Sequence, residues 1–329
     1  MIRSGACAAR YGSSLGPEPP LAGDLGLARQ DVMARSFVGM KLSIVVITKQ
    51  RRHLLVRCLD SIFCEVEDDF SESEVIVIDG GSTDGTREFL EGLDRRLTYW
   101  VSEPDSGLGQ AVNKGVARAR GDIIRVVGDD DEFVPGNLRA MMHIIDRMPA
   151  YDVVGGHNEV IFESNDGVRE TRGQGRYTGE VGRSEMLRWG RPAVLVPEAC
   201  FFRRTALERV GCYDEGWRWW GFLDLFFRMI DAGSRFFIMP VTILRTYQTA
   251  RSETFSNSGD PSFWQEQLRV FEKHGGIGCR LWQQCGGSLR PDRVTHYFVR
   301  RLCAQIGFHP RRMLRESLGV STKGVRRSG

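Results

Sequence analysis

"EVIVIDGGSTDGT", Glu74–Thr86, is the stretch whose reading decides the fold. In its first half β-branched residues follow one another without polar alternation, the pattern of a strand buried on both faces. Its second half breaks into Asp, Gly and Ser, residues that favour turns. Asp84 then stands where it would cap a helix running from Thr86 to Leu93. A buried strand, a turn and a capped helix in immediate succession make the βα unit of a parallel sheet.

The same unit recurs on both sides. "KLSIVVITKQ" (Lys41–Gln50) is a second buried strand, and His53–Phe63 carries apolar residues at helical spacing. "LTYWVSE" (Leu97–Glu103) reads as a strand, and "GLGQAVNKGVARAR" (Gly107–Arg120) as a helix ended by Gly121. "DIIRVV" (Asp122–Val127) is a fourth strand. The expectation is an α/β fold: a Rossmann-like, mostly parallel sheet with helices on both faces and right-handed crossovers. After Pro135 a helix is expected to about Met148, and "YDVVGGHNEVIFES" supplies one or two strands. Residues 164–182 are polar and Gly-rich, and a mobile loop over the site is expected there. Pro197–Glu215 reads as a short strand and a helix ending near Gly211. Gly221–Gly233 is a strongly apolar helix, Ser234–Gln248 a closing strand pair, and "PSFWQEQLRVFEKHG" a helix.

Composition bounds the rest. The chain has 329 residues, 41% hydrophobic and 26% charged, with a net charge of +3, which excludes nucleic-acid binding by bulk charge. No apolar run is long enough to cross a membrane. The eight cysteines are scattered and form no CxxC pair, which argues against a zinc site and fits a reducing, cytoplasmic setting. Residues 1–39 include "GSSLGPEPPLAGDLG" and are expected to be a disordered extension, with Met40 a candidate initiator. Residues 40–276 form the folded domain in this reading. Residues 277–329 form a basic, partly helical tail, with eleven Lys and Arg against Asp292 and Glu316. Such a tail suits contact with anionic lipid at the inner face of a membrane, or simple solvation.

Open parallel sheets bind ligands at the carboxyl ends of their strands. Three acidic segments fall there: Asp79, Asp105, and Asp129–Asp131 within "GDDDEF" (Gly128–Phe133). The acid run is either a solvated turn that caps the next helix or a site for a hard cation such as Mg2+ or Mn2+. "DGGSTDGT" is either a glycine turn or a backbone that lets a base and ribose approach while Asp79 accepts a hydrogen bond. No P-loop motif is present.

Four blocks together carry a resemblance: "SIVVITKQRRHLLVRCLDSI", "EVIVIDGGSTDGT", "SEPDSGLGQAVNKGVARARGDIIRVVGDDDEF" and "ACFFRRTALERVGCYDE". In order and spacing the chain resembles the family 2 glycosyltransferases of the GT-A fold, such as those that build bacterial surface polysaccharides, over Lys41 to Gly275. The resemblance implies a nucleotide-sugar donor with UDP as the nucleotide, a glycan or lipid-linked acceptor, inversion at the anomeric carbon, and Mn2+ or Mg2+. Thr48 and Asp79, with Ser82 in the same turn, match positions that hold the nucleobase. Asp105 and Lys114 match the block lining the donor pocket, where Gln110 replaces a more usual Asp. Asp129 and Asp131 match the ends of the DXD-type metal motif, with Asp130 on the ribose side.

One departure stands out. The family pattern places an acidic base two residues before the Asp of a "DxDLxxR"-like helix, and here "GFLDLFFR" has Phe222 at that position. Asp224 is the expected substitute base, with Asp214 and Glu215 as alternatives. The same departure admits a catalytically silent nucleotide-sugar-binding homologue, and a nucleotidyltransferase is a further rival. Trp217, Trp219 and Trp220 are read either as core or as a platform for a sugar ring.

Overall fold

The computed structural model describes residues 42–66, 73–93, 95–163, 169–174, 177–188, 195–248 and 260–275. The expected N-terminal extension, the domain limits at 40 and 276, and the basic tail all lie outside them.

Four parallel strands form the first half of the sheet. They are β1 (Leu42–Thr48), β2 (Ser73–Asp79), β3 (Tyr99–Ser102) and β4 (Ile123–Gly128). They are linked by α1 (Arg52–Val66), α2 (Thr86–Glu91) and α3 (Leu108–Arg118). The sheet continues through β5 (Asp131–Phe133), β6 (Val153–Glu163), β9 (Cys200–Arg203) and β10 (Phe236–Gln248), in the order β3-β2-β1-β4-β9-β6-β10-β5. β9 runs antiparallel to both β4 and β6, β6 and β10 are parallel, and β5 is antiparallel to β10. Two strands flank this path: β7 (Arg169–Gln174) pairs with β6, and β8 (Gly179–Val181) with β10.

Both faces are covered, as the unalternating strands require. Ile44 and Val46 of β1 pack with α1 and α4 (Asn137–Arg147), while Val45 packs with α3 and with α7 (Gly221–Asp231). Beside them lie α5 (Arg183–Arg188), α6 (Arg204–Val210), a 3-10 turn at Pro197–Ala199, and α8 (Pro261–Lys273). "DIIRVV" is a buried strand despite its charge. The Arg125 guanidinium lies 4.2 Å from the Phe133 ring centroid and 4.5 Å from that of Phe201, exchanging water for two aromatic faces.

Three expectations are corrected. Residues 164–182 are not simply a loop, because their described part includes β7 and β8. Within Ser234–Gln248 there is one long strand, β10, rather than a pair. Its register with β6 shifts between Ile238 and Thr242, around Pro240, which has no N–H to give a ladder. Among the described cysteines, Cys58, Cys200 and Cys212 are free thiols, but Cys64 is disulfide-bonded, which the scattered spacing did not indicate. Among the described residues no helix is long and apolar enough to cross a membrane.

Candidate active site

The parallel register brings the expected segments to one edge. Thr48 stands beside Asp79, Asp79 beside Ser102, and Ile47 beside Gly128. These strand ends open on a cleft of ≈ 600 Å³, the size of a small-molecule site. Its walls include Thr48, Lys49, Arg51, Asp105 and Gly128 from the first half of the chain, and Glu198, Tyr213, Arg218 and Phe222 from the second. Leu108, also in the wall, is an apolar side chain left 43% exposed.

The acid run is partly a turn and partly a strand. Asp129 is fully buried; its Oδ2 accepts from Thr48 Oγ1 at 2.7 Å, and its Oδ1 is 2.8 Å from the Arg51 guanidinium. Burial pushes its carboxyl up to about 7, against the pull of Arg51. Asp131 begins β5, and its oxygens accept from Thr246 Oγ1 at 2.7 Å and the Gly128 N–H at 3.0 Å. Burial first, then the charges of Asp130 and Glu198, hold Asp131 well above the usual carboxylate range. Asp130 keeps 19% of its side chain exposed and pairs with Arg51 at 3.3 Å. Glu132 faces Arg57 at 3.8 Å and Arg245 at 3.7 Å.

Asp79 is buried and wholly engaged. It accepts from the Ser82 N–H and from the hydroxyls of Ser82 and Ser102, while Ser82 Oγ in turn accepts from the Gln50 N–H at 2.6 Å. The carboxylate shapes the turn after β2 and is not turned into the cleft. Gly80 has no room for a side chain, since a Cβ there would meet the Asp105 carboxylate at 2.5 Å. Asp84 accepts from the Thr86 N–H and also from the Arg52 N–H at 2.8 Å, so it anchors the starts of both α1 and α2. Asp105 lines the cleft and accepts from the Gly107 N–H at 3.2 Å and from Lys49 at 3.4 Å. Lys114 lies behind that loop, 2.7 Å from Glu103 and 3.4 Å from the Pro104 carbonyl.

Asp224 does not reach the cleft. It is fully buried in α7, with Oδ1 2.8 Å from Lys273 and 2.9 Å from His274, and Oδ2 2.7 Å from Arg228. Burial alone would raise its carboxyl, but hydrogen bonds from His274, Lys273 and Arg228 together hold it well below the usual range. Arg228 also donates to the carbonyls of Val210 and Cys212, both at 2.6 Å. The cluster ties α7, α8 and the turn after α6 together. Of the alternatives, Asp214 pairs with Lys273 at 3.4 Å and Glu215 accepts from Asn113 at 2.9 Å. Of the tryptophans, Trp220 is core, donating to the Phe263 carbonyl at 2.8 Å, and Trp217 and Trp219 are half-buried away from the cleft wall.

Several residues had no place in the sequence reading. Arg51 follows the first strand directly, so a cation facing the acid run was available to find. Glu266 accepts from three successive N–H groups, Arg218, Trp219 and Trp220, at 3.2, 2.7 and 2.8 Å, and so carries the segment that places Arg218 in the cleft. Its signal was a carboxylate beside the apolar positions Phe263, Val270 and Phe271 of α8. Glu198, half-buried on the 3-10 turn, left no such signal. Burial, with Asp130 adding to it, pushes its carboxyl up to about 7.

Residues 43–211 match the family model described as Glycosyl transferase family 2. The chain belongs to glycosyl transferase family 2. This family 2 chain is 27% identical over 188 residues to an uncharacterized glycosyltransferase of Nostoc sp., across 55% of this chain and 56% of that protein. It is 33% identical over 106 residues to the GalNAc(5)-diNAcBac-PP-undecaprenol beta-1,3-glucosyltransferase of Campylobacter jejuni, across 31% of this chain and 33% of that protein. The chain spans about half the length of the first curated relatives it matches. Residues 1–349 of S. aureus TarS, crystallised with UDP-GlcNAc, share the fold with a TM-score of 0.54 at 18% identity, covering 80% of this chain and 73% of that one. The sheet and its flanking helices are therefore of the GT-A type, as expected.

The family's divalent ion was expected on Asp129 and Asp131, and in this structure neither carboxylate lines the cleft. Both are buried; Asp131 accepts from Thr246 and a backbone N–H and Asp129 Oδ2 from Thr48, while Asp129 Oδ1 has the Arg51 charge at 2.8 Å but no hydrogen-bond donor. Among the described residues no group of three or more His, Cys, Asp or Glu side chains is placed to hold an ion. The partly exposed Asp130 does fit, since Mg2+ and Mn2+ accept one carboxylate when substrate phosphates complete the shell.

Proposed function

We propose that the chain transfers a sugar from a nucleoside-diphosphate sugar, with UDP as the nucleotide, to a glycan or lipid-linked acceptor with inversion. The observation that carries this reading is the cleft itself. The parallel strand ends deliver Thr48, the cations Lys49 and Arg51, Asp105 and Gly128 to one opening, with Asp130 paired to Arg51 at its edge and the Gly80–Ser82 turn beside Asp105. The UDP-GlcNAc bound to TarS supports the donor class, and the undecaprenol-linked substrate in the name of the Campylobacter jejuni relative supports the acceptor class.

In this reading the turn after β2 meets the base and ribose, with Asp79 fixing the turn through Ser82 and Ser102. Asp105 and Lys114 set the loop over the donor, Asp105 from the wall and Lys114 from behind. Lys49 and Arg51 face the diphosphate, where leaving-group charge develops. Asp130 would hold the divalent ion, which supplies Lewis-acid stabilisation of that charge when bound. Assay of nucleoside diphosphate released from a panel of UDP-sugars tests the reading. Release of UDP from at least one donor is expected, and release of pyrophosphate instead would favour a nucleotidyltransferase.

A second reading has an observation of its own. Phe222 lines the cleft where the family pattern places an acid, and Asp224 is bound to Arg228, Lys273 and the His274 ring. A silent donor-binding homologue would bind UDP and release nothing from any donor. The basic tail is proposed to hold the protein to anionic membranes from the cytoplasmic side, and truncation after Gly276 should abolish flotation with phosphatidylserine vesicles.

A further inference from the structure

We propose that Glu198 is the carboxylate that deprotonates the acceptor hydroxyl, replacing the acid missing at Phe222; this rests on the transfer reading above. A hydroxyl that attacks an anomeric carbon must lose its proton to something within reach. Three acids in or beside the cleft are already engaged. Asp224 is turned away onto Arg228, Lys273 and His274. Asp105 holds the Gly107 N–H and Lys49, and Asp130 is the acid assigned above to the ion, beside Arg51.

Glu198 differs from all three. It lines the same cleft as Phe222, Tyr213 and Arg218, and among the described residues no cation or side-chain donor sits on its carboxylate. Its backbone is fixed by the Ala199 N–H, which donates to the Val196 carbonyl at 2.9 Å, and by the start of β9 directly after it. A half-buried carboxylate with nothing to neutralise it costs stability, and such groups concentrate at sites of chemistry.

The acceptor oxygen forms a bond to the anomeric carbon from the face opposite the leaving group. The bond from that carbon to the β-phosphate oxygen breaks, and its electron pair leaves with the nucleoside diphosphate. The hydroxyl proton passes to a Glu198 carboxylate oxygen and then to solvent. With water as acceptor the same step is donor hydrolysis.

The test is UDP release from UDP-GlcNAc and the other UDP-sugars by full-length wild type, E198Q and E198D, with UDP affinity measured alongside by calorimetry in Mn2+. For E198Q, release should fall about 100-fold or more, the usual scale for a lost general base, with UDP affinity within about twofold of wild type. E198D should retain intermediate release; if E198Q does not fold, a fall of about tenfold in E198D with UDP affinity kept carries the proposal. Active wild type with equally active E198Q or E198D overturns the Glu198 assignment and leaves the transfer reading intact. E198Q that loses the Mn2+-dependent part of UDP binding makes Glu198 an ion ligand, and that also overturns the proposal. A wild type that binds UDP but releases nothing from any donor overturns the transfer reading, and the assignment falls with it.

Discussion

Asp129, Asp130, Asp131 and Glu132 stand in succession without mutual collapse because each faces a different way. Arg51 and Thr48 take the first, Arg51 the second, Thr246 and a backbone N–H the third, and Arg57 and Arg245 the fourth. The sequence marked the run and its place at a strand end, but not which acid stays open. That depends on partners 81 and 115 residues away, Thr48 and Thr246, which no local pattern records. Asp224 carries the same lesson. Its motif is legible, but Lys273 and His274, which close over it, come from the far end of α8 and the residue after it. Removing one member of a buried charge cluster leaves the others uncompensated, so Asp224→Asn should cost about 3 kcal/mol at pH 7. Because its folded-state pKa lies below the unfolded value of 3.8, its stabilisation is complete above that value and lost as pH falls through the folded one. Urea unfolding between pH 7 and pH 3 should therefore show a shallower acid loss in the variant. Equal stability at pH 7 would contradict the structural role given to Asp224.

At the scale of elements, α3 lies directly on the sheet at Gly115. A Cβ there would meet Val45 Cγ1 at 2.2 Å and Ile78 Cγ1 at 3.3 Å. Helix propensity alone would make Gly115→Ala stabilising by about 1 kcal/mol. Overpacking against a β-branched residue of a central strand costs about 1–3 kcal/mol, so the clash should win and the urea midpoint should fall. A raised midpoint would show that α3 can lift off β1 without cost. Elements buried on two faces were legible, because runs such as "SIVVIT" and "EVIVID" carry their own burial signal. β7 was not, because "RETRGQ" has polar residues on both faces and is held by backbone pairing to β6 at the margin of the sheet.

In the molecule as a whole, the parallel half was readable in its elements and their pairing, and the other half in its elements but not in how its strands pair. β1 to β4 and their helices follow one another locally, whereas β9, β6, β10 and β5 pair across long stretches of chain in mixed directions. The wall carrying Glu198, Arg218 and Phe222 belongs to that second half, which is why Glu198 was missed and Asp224 was expected in its place. The central claim is that the two halves meet around a nucleoside diphosphate. Calorimetric titration of UDP into full-length protein, with and without Mn2+, tests it most directly. Binding is expected that strengthens about tenfold or more with Mn2+, and that loses this gain in Asp130→Ala. Absence of UDP binding under both conditions would contradict the account.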